Sequence, residues 1–147
     1  MPANKDFKDL FVLFNQENVE YLVVGAHAVI YYAEPRYTKD LDIWINPKKE
    51  NALKVIKALE AFGAPLTNVT VEDFTDVDKI FQIGIAPNRI DILMGIAGVN
   101  FADASKKKTQ STYDDIPINI IGKQDLIFSK KAIARPQDLL DVERLKF

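Results

Sequence analysis

Asp40 and Asp42 stand two residues apart in Thr38-Lys39-Asp40-Leu41-Asp42-Ile43-Trp44-Ile45, and Asp91 stands alone in Arg89-Ile90-Asp91-Ile92-Leu93. In a β-strand residues i and i+2 point to one face, so Asp40 and Asp42 project together while Leu41 and Ile43 enter the core. Two carboxylates so placed repel each other unless a cation or a proton resolves the conflict. Magnesium is the cation this predicts, because it takes hard oxygen ligands and keeps positions open for water and phosphate. If the strand carrying Asp91 pairs beside the first, the three acids form one cluster. Such a cluster suits phosphoryl chemistry, in which two metal ions roughly 3.5–4 Å apart stabilise the attacking and leaving oxygens of an in-line displacement. Asp91 then serves as a metal ligand and as the natural base for an incoming hydroxyl. A second D-x-D, Asp76 and Asp78, reads as solvated loop; apolar strand neighbours and a matching later acid set Asp40 and Asp42 apart from it.

The elements that must carry these residues follow from periodicity. Residues 6–18 place Phe7, Leu10, Phe11 and Phe14 at helical spacing. Tyr21-Leu22-Val23-Val24 is a short buried strand ending at Gly25, and the following AHAVIYYA is helical until Pro35, whose ring disfavours helix in the residue before it. Residues 41–45, flanked by Asp40, form the acidic strand. Pro47 fits a first helical turn, and residues 48–62 carry Leu53, Ile56, Leu59 and Phe62 before Gly63 stops the helix. Residues 65–78 read as an irregular connection. Residues 79–86 and 89–94 read as antiparallel strands across a Pro87-Asn88 turn, with a further strand at 116–121. Residues 125–134 and 137–146 are two closing helices broken at Arg135-Pro136. The order predicts a single α+β domain over residues 1–147: a mixed, mostly antiparallel sheet with helices mainly on one face and a C-terminal helical pair.

Composition narrows the class. At 147 residues, 48% hydrophobic and 27% charged, the chain reads as one ordinary globular domain with enough core to fold without staples. It has no cysteine, which excludes disulfides and cysteine-based zinc sites and makes a reducing cytoplasm the expected location. No stretch approaches the ~20 apolar residues of a membrane span, and the first residues mix charge into their apolar run unlike a signal peptide. A net charge of -2 argues against a surface built throughout to grip nucleic acid.

Val24-Gly25-Ala26 followed by Asp40-Leu41-Asp42-Ile43 resembles the signature of the DNA polymerase beta-like nucleotidyltransferase superfamily. That signature is a hydrophobic strand, Gly-Gly or Gly-Ser, a short helix, then an acid-hydrophobic-acid strand. Arg36 through Ile43, and Lys130 with Arg135-Pro136-Gln137-Asp138 to Asp141, look most like the small abortive-infection and toxin–antitoxin members, so the likeness spans roughly residues 20 to 145. The resemblance implies a nucleotidyltransferase fold, two magnesium ions on Asp40, Asp42 and Asp91, and an NTP such as ATP as nucleotide donor. It further implies a hydroxyl acceptor on RNA, including tRNA, or on a partner protein, within a toxin–antitoxin system. Gly25 and Ala26 would lie at a strand-to-helix turn whose backbone N–H groups hold triphosphate oxygens. Ala26 departs from the signature, since it lacks the hydroxyl a serine would offer. Lys130 sits where these proteins tend to carry a lysine on the first C-terminal helix, and it either reaches triphosphate or is one of a solvated pair with Lys131.

Arg36 and Thr38 flank the acidic strand, where either could touch phosphate; Thr38 could equally cap the turn. Arg135, Asp138 and Asp141 read as a structural ion-pair network closing the last two helices. His27, the lone histidine, is either a nucleotide contact or a packed helix residue. Trp44 either walls the pocket or packs. Lys106-Lys107-Lys108 either steers an RNA acceptor or guards a strand edge. Three functions compete: an active nucleotidyltransferase, a catalytically weak nucleotide- or partner-binding module of the same fold, and, more weakly, a metal-dependent hydrolase, which would lack the histidines many such sites use.

Overall fold

The computed structural model describes residues 3–33, 38, 40–84 and 88–146. Arg36 and Pro87, both singled out from sequence, lie outside the described residues. Asn4 caps the first helix, α1 (Lys5–Gln16), by accepting from the backbone N–H groups of Asp6 and Phe7, and the helix buries Phe7, Leu10, Phe11 and Phe14. Strand β1 (Tyr21–Val24) runs straight into α2 (Gly25–Tyr32). The acidic strand is β2 (Asp40–Ile45), followed by α3 (Lys49–Phe62), which ends at Gly63 in the left-handed conformation that favours glycine. A single 3-10 turn, Val71–Phe74, interrupts the connection to β3 (Ile80–Ile83), which pairs antiparallel with β4 (Arg89–Leu93). Then come α4 (Phe101–Lys106), β5 (Thr109–Tyr113), β6 (Ile116–Ile120), α5 (Lys123–Ile133) and α6 (Pro136–Leu145).

The strands form one sheet in the order β3-β4-β2-β1-β6-β5. It is mixed: β1–β2, β3–β4 and β5–β6 are antiparallel, whereas β1–β6 and β2–β4 are parallel. The expected α+β architecture with a C-terminal helical pair is therefore present.

Helices cover both faces rather than mainly one. Tyr21 packs on Phe11 and Phe14 of α1. Trp44 pairs in register with Leu22, not Tyr21, so it faces the other way, where it meets Phe101 of α4 edge-on at 5.0 Å. Alternation thus divides the central strands in two. Leu41, Ile43, Ile45, Ile90 and Ile92 are buried on one side, while Asp40, Asp42, Trp44, Arg89 and Asp91 share the other.

Candidate active site

Pairing between β2 and β4 assembles the acids. Their parallel register sets Asp42 opposite Asp91 and Asp40 opposite Arg89. Asp91 comes from the neighbouring strand, 49 positions further along the chain than Asp42, and the pairing on which the three-acid cluster was conditional is present. Apolar neighbours on the reverse face hold this register, because a slip of one residue would turn the carboxylates into the core.

The cluster is electrostatically tense. Asp42 is pushed up from its ordinary value to about 6, first by burial and then by the charges of Asp91 and Asp40. Arg89 opposes this. Its Nε donates to Asp91 Oδ1 at 2.9 Å, and its terminal nitrogen donates to Asp91 Oδ2 at 3.2 Å and to Asp40 Oδ2 at 3.4 Å. Asp91 is 8% exposed, so this guanidinium is its main compensation.

Three carboxylates of this kind are the hard oxygen donors magnesium takes. As they stand, no three acidic or histidine side chains among the described residues are arranged to hold a metal ion. The donor chemistry fits a divalent cation, then, while Arg89 holds the oxygens such an ion would share.

Gly25 closes the site from β1. Its φ of +66° lies in the left-handed region, and a Cβ there would run into the Asp42 carboxylate. Here the chain turns from strand to helix. The N-cap of α2 is Val24, so no side chain caps the first-turn N–H groups that Gly25 and Ala26 begin. Thr38, two residues ahead of the strand, donates its hydroxyl to the Asp40 carbonyl at 3.3 Å.

The C-terminal pair approaches the same face. Lys130 is 8% exposed, with its ammonium 3.4 Å from Asp138 and 3.0 Å from Asp141. Arg135 grips Asp138 through Nε at 2.7 Å and a terminal nitrogen at 3.3 Å, which holds that carboxyl below the usual range. The expected ion-pair network closing the last helices is therefore real, and Lys130 is its centre. Arg135 is also near enough to Asp42 to feel its charge.

The other candidates make packing and ion-pair contacts. His27 is packed edge-on against Phe7 at 5.6 Å and Tyr113 at 6.4 Å, and burial lowers its pKa. Trp44 is buried. Lys107 pairs with Asp125 at 3.0 Å, and its run leads into β5 at the sheet edge, where lysines discourage edge pairing. What sequence reasoning missed is Arg89. The i, i+2 rule that joined Asp40 to Asp42 also places Arg89 beside Asp91.

A cavity of about 750 Å³ opens at the C-terminal ends of β2 and β4, between Trp44, Asn46, Asp78, Met94 and Asn100, and none of the three acids lines it.

No protein-family model and no curated protein matches the chain. Solved structures do. The lincosamide antibiotic adenylyltransferase LnuA, in its lincomycin-bound form, has a TM-score of 0.60 at 19% identity over 98% of this chain and 96% of that one. A putative nucleotidyltransferase from Thermotoga maritima gives 0.58 at 15% identity over 95% and 88%. The antibiotic-resistance factor ANT(2'')-Ia gives 0.58 at 12% identity over 96% and 79%, and it is also known in complex with adenylyl-2''-tobramycin. At these identities the likeness is one of fold, and the fold is that of nucleotidyltransferases.

Proposed function

We propose that this protein is a magnesium-dependent nucleotidyltransferase that moves a nucleotide from an NTP to a hydroxyl acceptor. The observation that carries the reading is the β2–β4 register that puts Asp42 opposite Asp91 beside the glycine turn of α2. Fold likeness to adenylyltransferases supports it, though a fold alone does not set a substrate.

Asp40, Asp42 and Asp91 would hold the metal, which supplies positive charge for the phosphate oxygens when bound. The N–H groups at the start of α2, uncapped by any side chain, are the candidate cradle for the triphosphate, with Gly25 allowing close approach. In the transfer, the acceptor oxygen bonds to the α-phosphorus, the bond from that phosphorus to the bridging oxygen breaks, and pyrophosphate leaves. The hydroxyl proton passes to a carboxylate oxygen of Asp91 once Arg89 has loosened from it. Thr38 and Lys130 belong to this proposal as supports of the phosphate end. Arg135, near Asp42, joins them as a further cation on that side.

A small hydroxylated molecule is the acceptor the features favour. The net charge is -2 and the lysine run leads into a strand edge, neither of which suits a long polyanionic acceptor. An RNA or protein acceptor, and a toxin–antitoxin setting, rest on the sequence resemblance alone. Ala26, without a hydroxyl for phosphate, favours the second reading, a binding module with weak turnover.

Thermal melting with each of four NTPs, with and without magnesium, tests the proposal against an Asp40→Asn/Asp42→Asn variant. Occupancy at 100 times Kd adds about 2.7 kcal/mol, so a magnesium-dependent rise lost in the variant is the expected result. No rise with any NTP in a folded protein would remove the nucleotide site from consideration. A rise without pyrophosphate release, across a panel of hydroxylated acceptors, would instead select the binding module.

A further inference from the structure

Arg89 occupies the place of a cation. It stands two residues before Asp91 on β4, opposite Asp40 on β2, so alternation and register both point it into the carboxylate face. Its fork engages both oxygens of Asp91 and one of Asp40. The two holds are unequal. The pair with Asp91 is bidentate at 2.9 and 3.2 Å, the geometry that makes Arg–carboxylate contacts strong. The contact with Asp40 is single and long at 3.4 Å. The Asp91 side chain is 12% exposed, whereas those of Arg89 and Asp40 are 37% and 43% exposed, so the guanidinium has solvent into which it can withdraw.

Without Arg89, three carboxylates would face one another with Asp42 and Asp91 already largely out of water, a costly arrangement. With it, the oxygens a divalent cation needs are already hydrogen-bonded. Resting on the metal-site reading above, we infer that Arg89 is the internal counter-ion and positioning residue of the triad. It keeps Asp40 and Asp91 in place while no metal is bound, and it yields first Asp40 and then part of Asp91 when a divalent ion enters. Metal binding is thereby an exchange of one cation for another, and its affinity is set below that of a bare triad.

Manganese as the probe, with free Mn²⁺ counted by electron paramagnetic resonance, tests this on the whole chain. Wild type is compared with Arg89→Met, Arg89→Gln and Arg89→Lys, each first checked by circular dichroism; either neutral variant suffices if the other fails to fold. The neutral variants should bind Mn²⁺ about tenfold or more tightly than wild type, since a competing charge at this range is worth one to three pKa units. Arg89→Lys should stay near wild type, which a purely structural role would not require. Manganese should also raise the melting temperature of the neutral variants more than that of wild type. If wild type binds Mn²⁺ and the neutral variants bind equally or more weakly, the counter-ion role is overturned and the metal site stands. If none binds, the metal reading and this inference fall together. Binding by the neutral variants alone supports the exchange in its strongest form.

Discussion

The α-carbon of Gly25 lies so close to the Asp42 carboxylate that a Cβ built on it would collide with Oδ2 and stand 2.9 Å from Cγ. The same residue has a φ of +66°, so glycine is required there twice over, by space and by backbone conformation. Strand β1, the turn into α2 and the acidic strand are thus locked at one point.

Gly25→Ala should accordingly cost more than the ~1 kcal/mol of an ordinary left-handed alanine, because Asp42 must also move. A loss of about 2–4 kcal/mol in urea unfolding is expected, combining backbone strain of about 1–3 kcal/mol with displacement of a packed side chain. The variant should also lose any magnesium-dependent stabilisation by NTP. A fall in stability below about 1 kcal/mol would mean that the turn relaxes easily and that the contact is not confining.

Asp42 gives a pH dependence whose sign is fixed by its shift. Its folded pKa is raised to about 6 from an ordinary 3.8, so the metal-free native state holds this proton more tightly than the unfolded chain does. The stabilisation from protonation is complete below the ordinary value and is lost as pH rises to about 6. At about 1.4 kcal/mol per unit the loss is on the order of 2–3 kcal/mol. Carboxylates with lowered pKa, such as Asp138, push the total curve the other way, so the comparison must isolate Asp42. Relative to wild type, Asp42→Asn should gain stability between pH 4 and 7, read from urea midpoints without metal. Parallel curves would mean that Asp42 titrates normally.

Much of this geometry was legible in the sequence because local rules generate it. Asp-Leu-Asp-Ile declares its own strand and its two faces, and Gly63 and Pro136 mark helix ends at the positions the structure uses. Strand β5 was not legible. Thr109–Tyr113 is polar and half-exposed at the sheet edge, so it lacks the apolar alternation that identifies a strand. Helix α4 escaped because its six residues bury only Phe101 and Ala104, too few to establish a period. Arg89 was within reach of the i, i+2 rule but was read only as a strand start. Its partner Asp40 lies 49 residues away, and that pairing depends on β2 and β4 being parallel neighbours, which no local pattern encodes.

Asn51 was likewise silent in sequence, yet it joins three segments. It is 2% exposed; its carbonyl accepts from the Glu20 N–H at 2.7 Å, and its amide donates to the carbonyls of Glu20 at 3.0 Å and Asn46 at 2.9 Å. Asn51→Ala leaves buried backbone groups without partners at about 1–3 kcal/mol each, so a loss of about 2–4 kcal/mol in chemical denaturation is expected. Because these contacts lie at the start of β1 and the end of β2, away from Asp40, any stabilisation that nucleotide gives the wild type should persist at low temperature. Its disappearance would show that the far end of β2 sets the geometry of the acids.

Lys130 separates two roles by experiment. Its ammonium sits between Asp138 and Asp141, carboxylates only 2% and 1% exposed, in a network that Arg135 and Arg144 complete from outside. Lys130→Met removes the central cation and leaves two buried acids facing each other, a loss of about 3–5 kcal/mol. Since the group is buried, raising salt should barely change that loss, unlike an exposed pair. A triple change to Lys130→Met/Asp138→Asn/Asp141→Asn removes the stranded charges and should recover part of the stability. Melting with NTP and magnesium then decides what the lysine does beyond packing. A triple variant that folds and still gains stability from NTP confines Lys130 to joining α5 and α6. One that folds but gains nothing, while wild type does, gives the ammonium a direct part in holding the triphosphate.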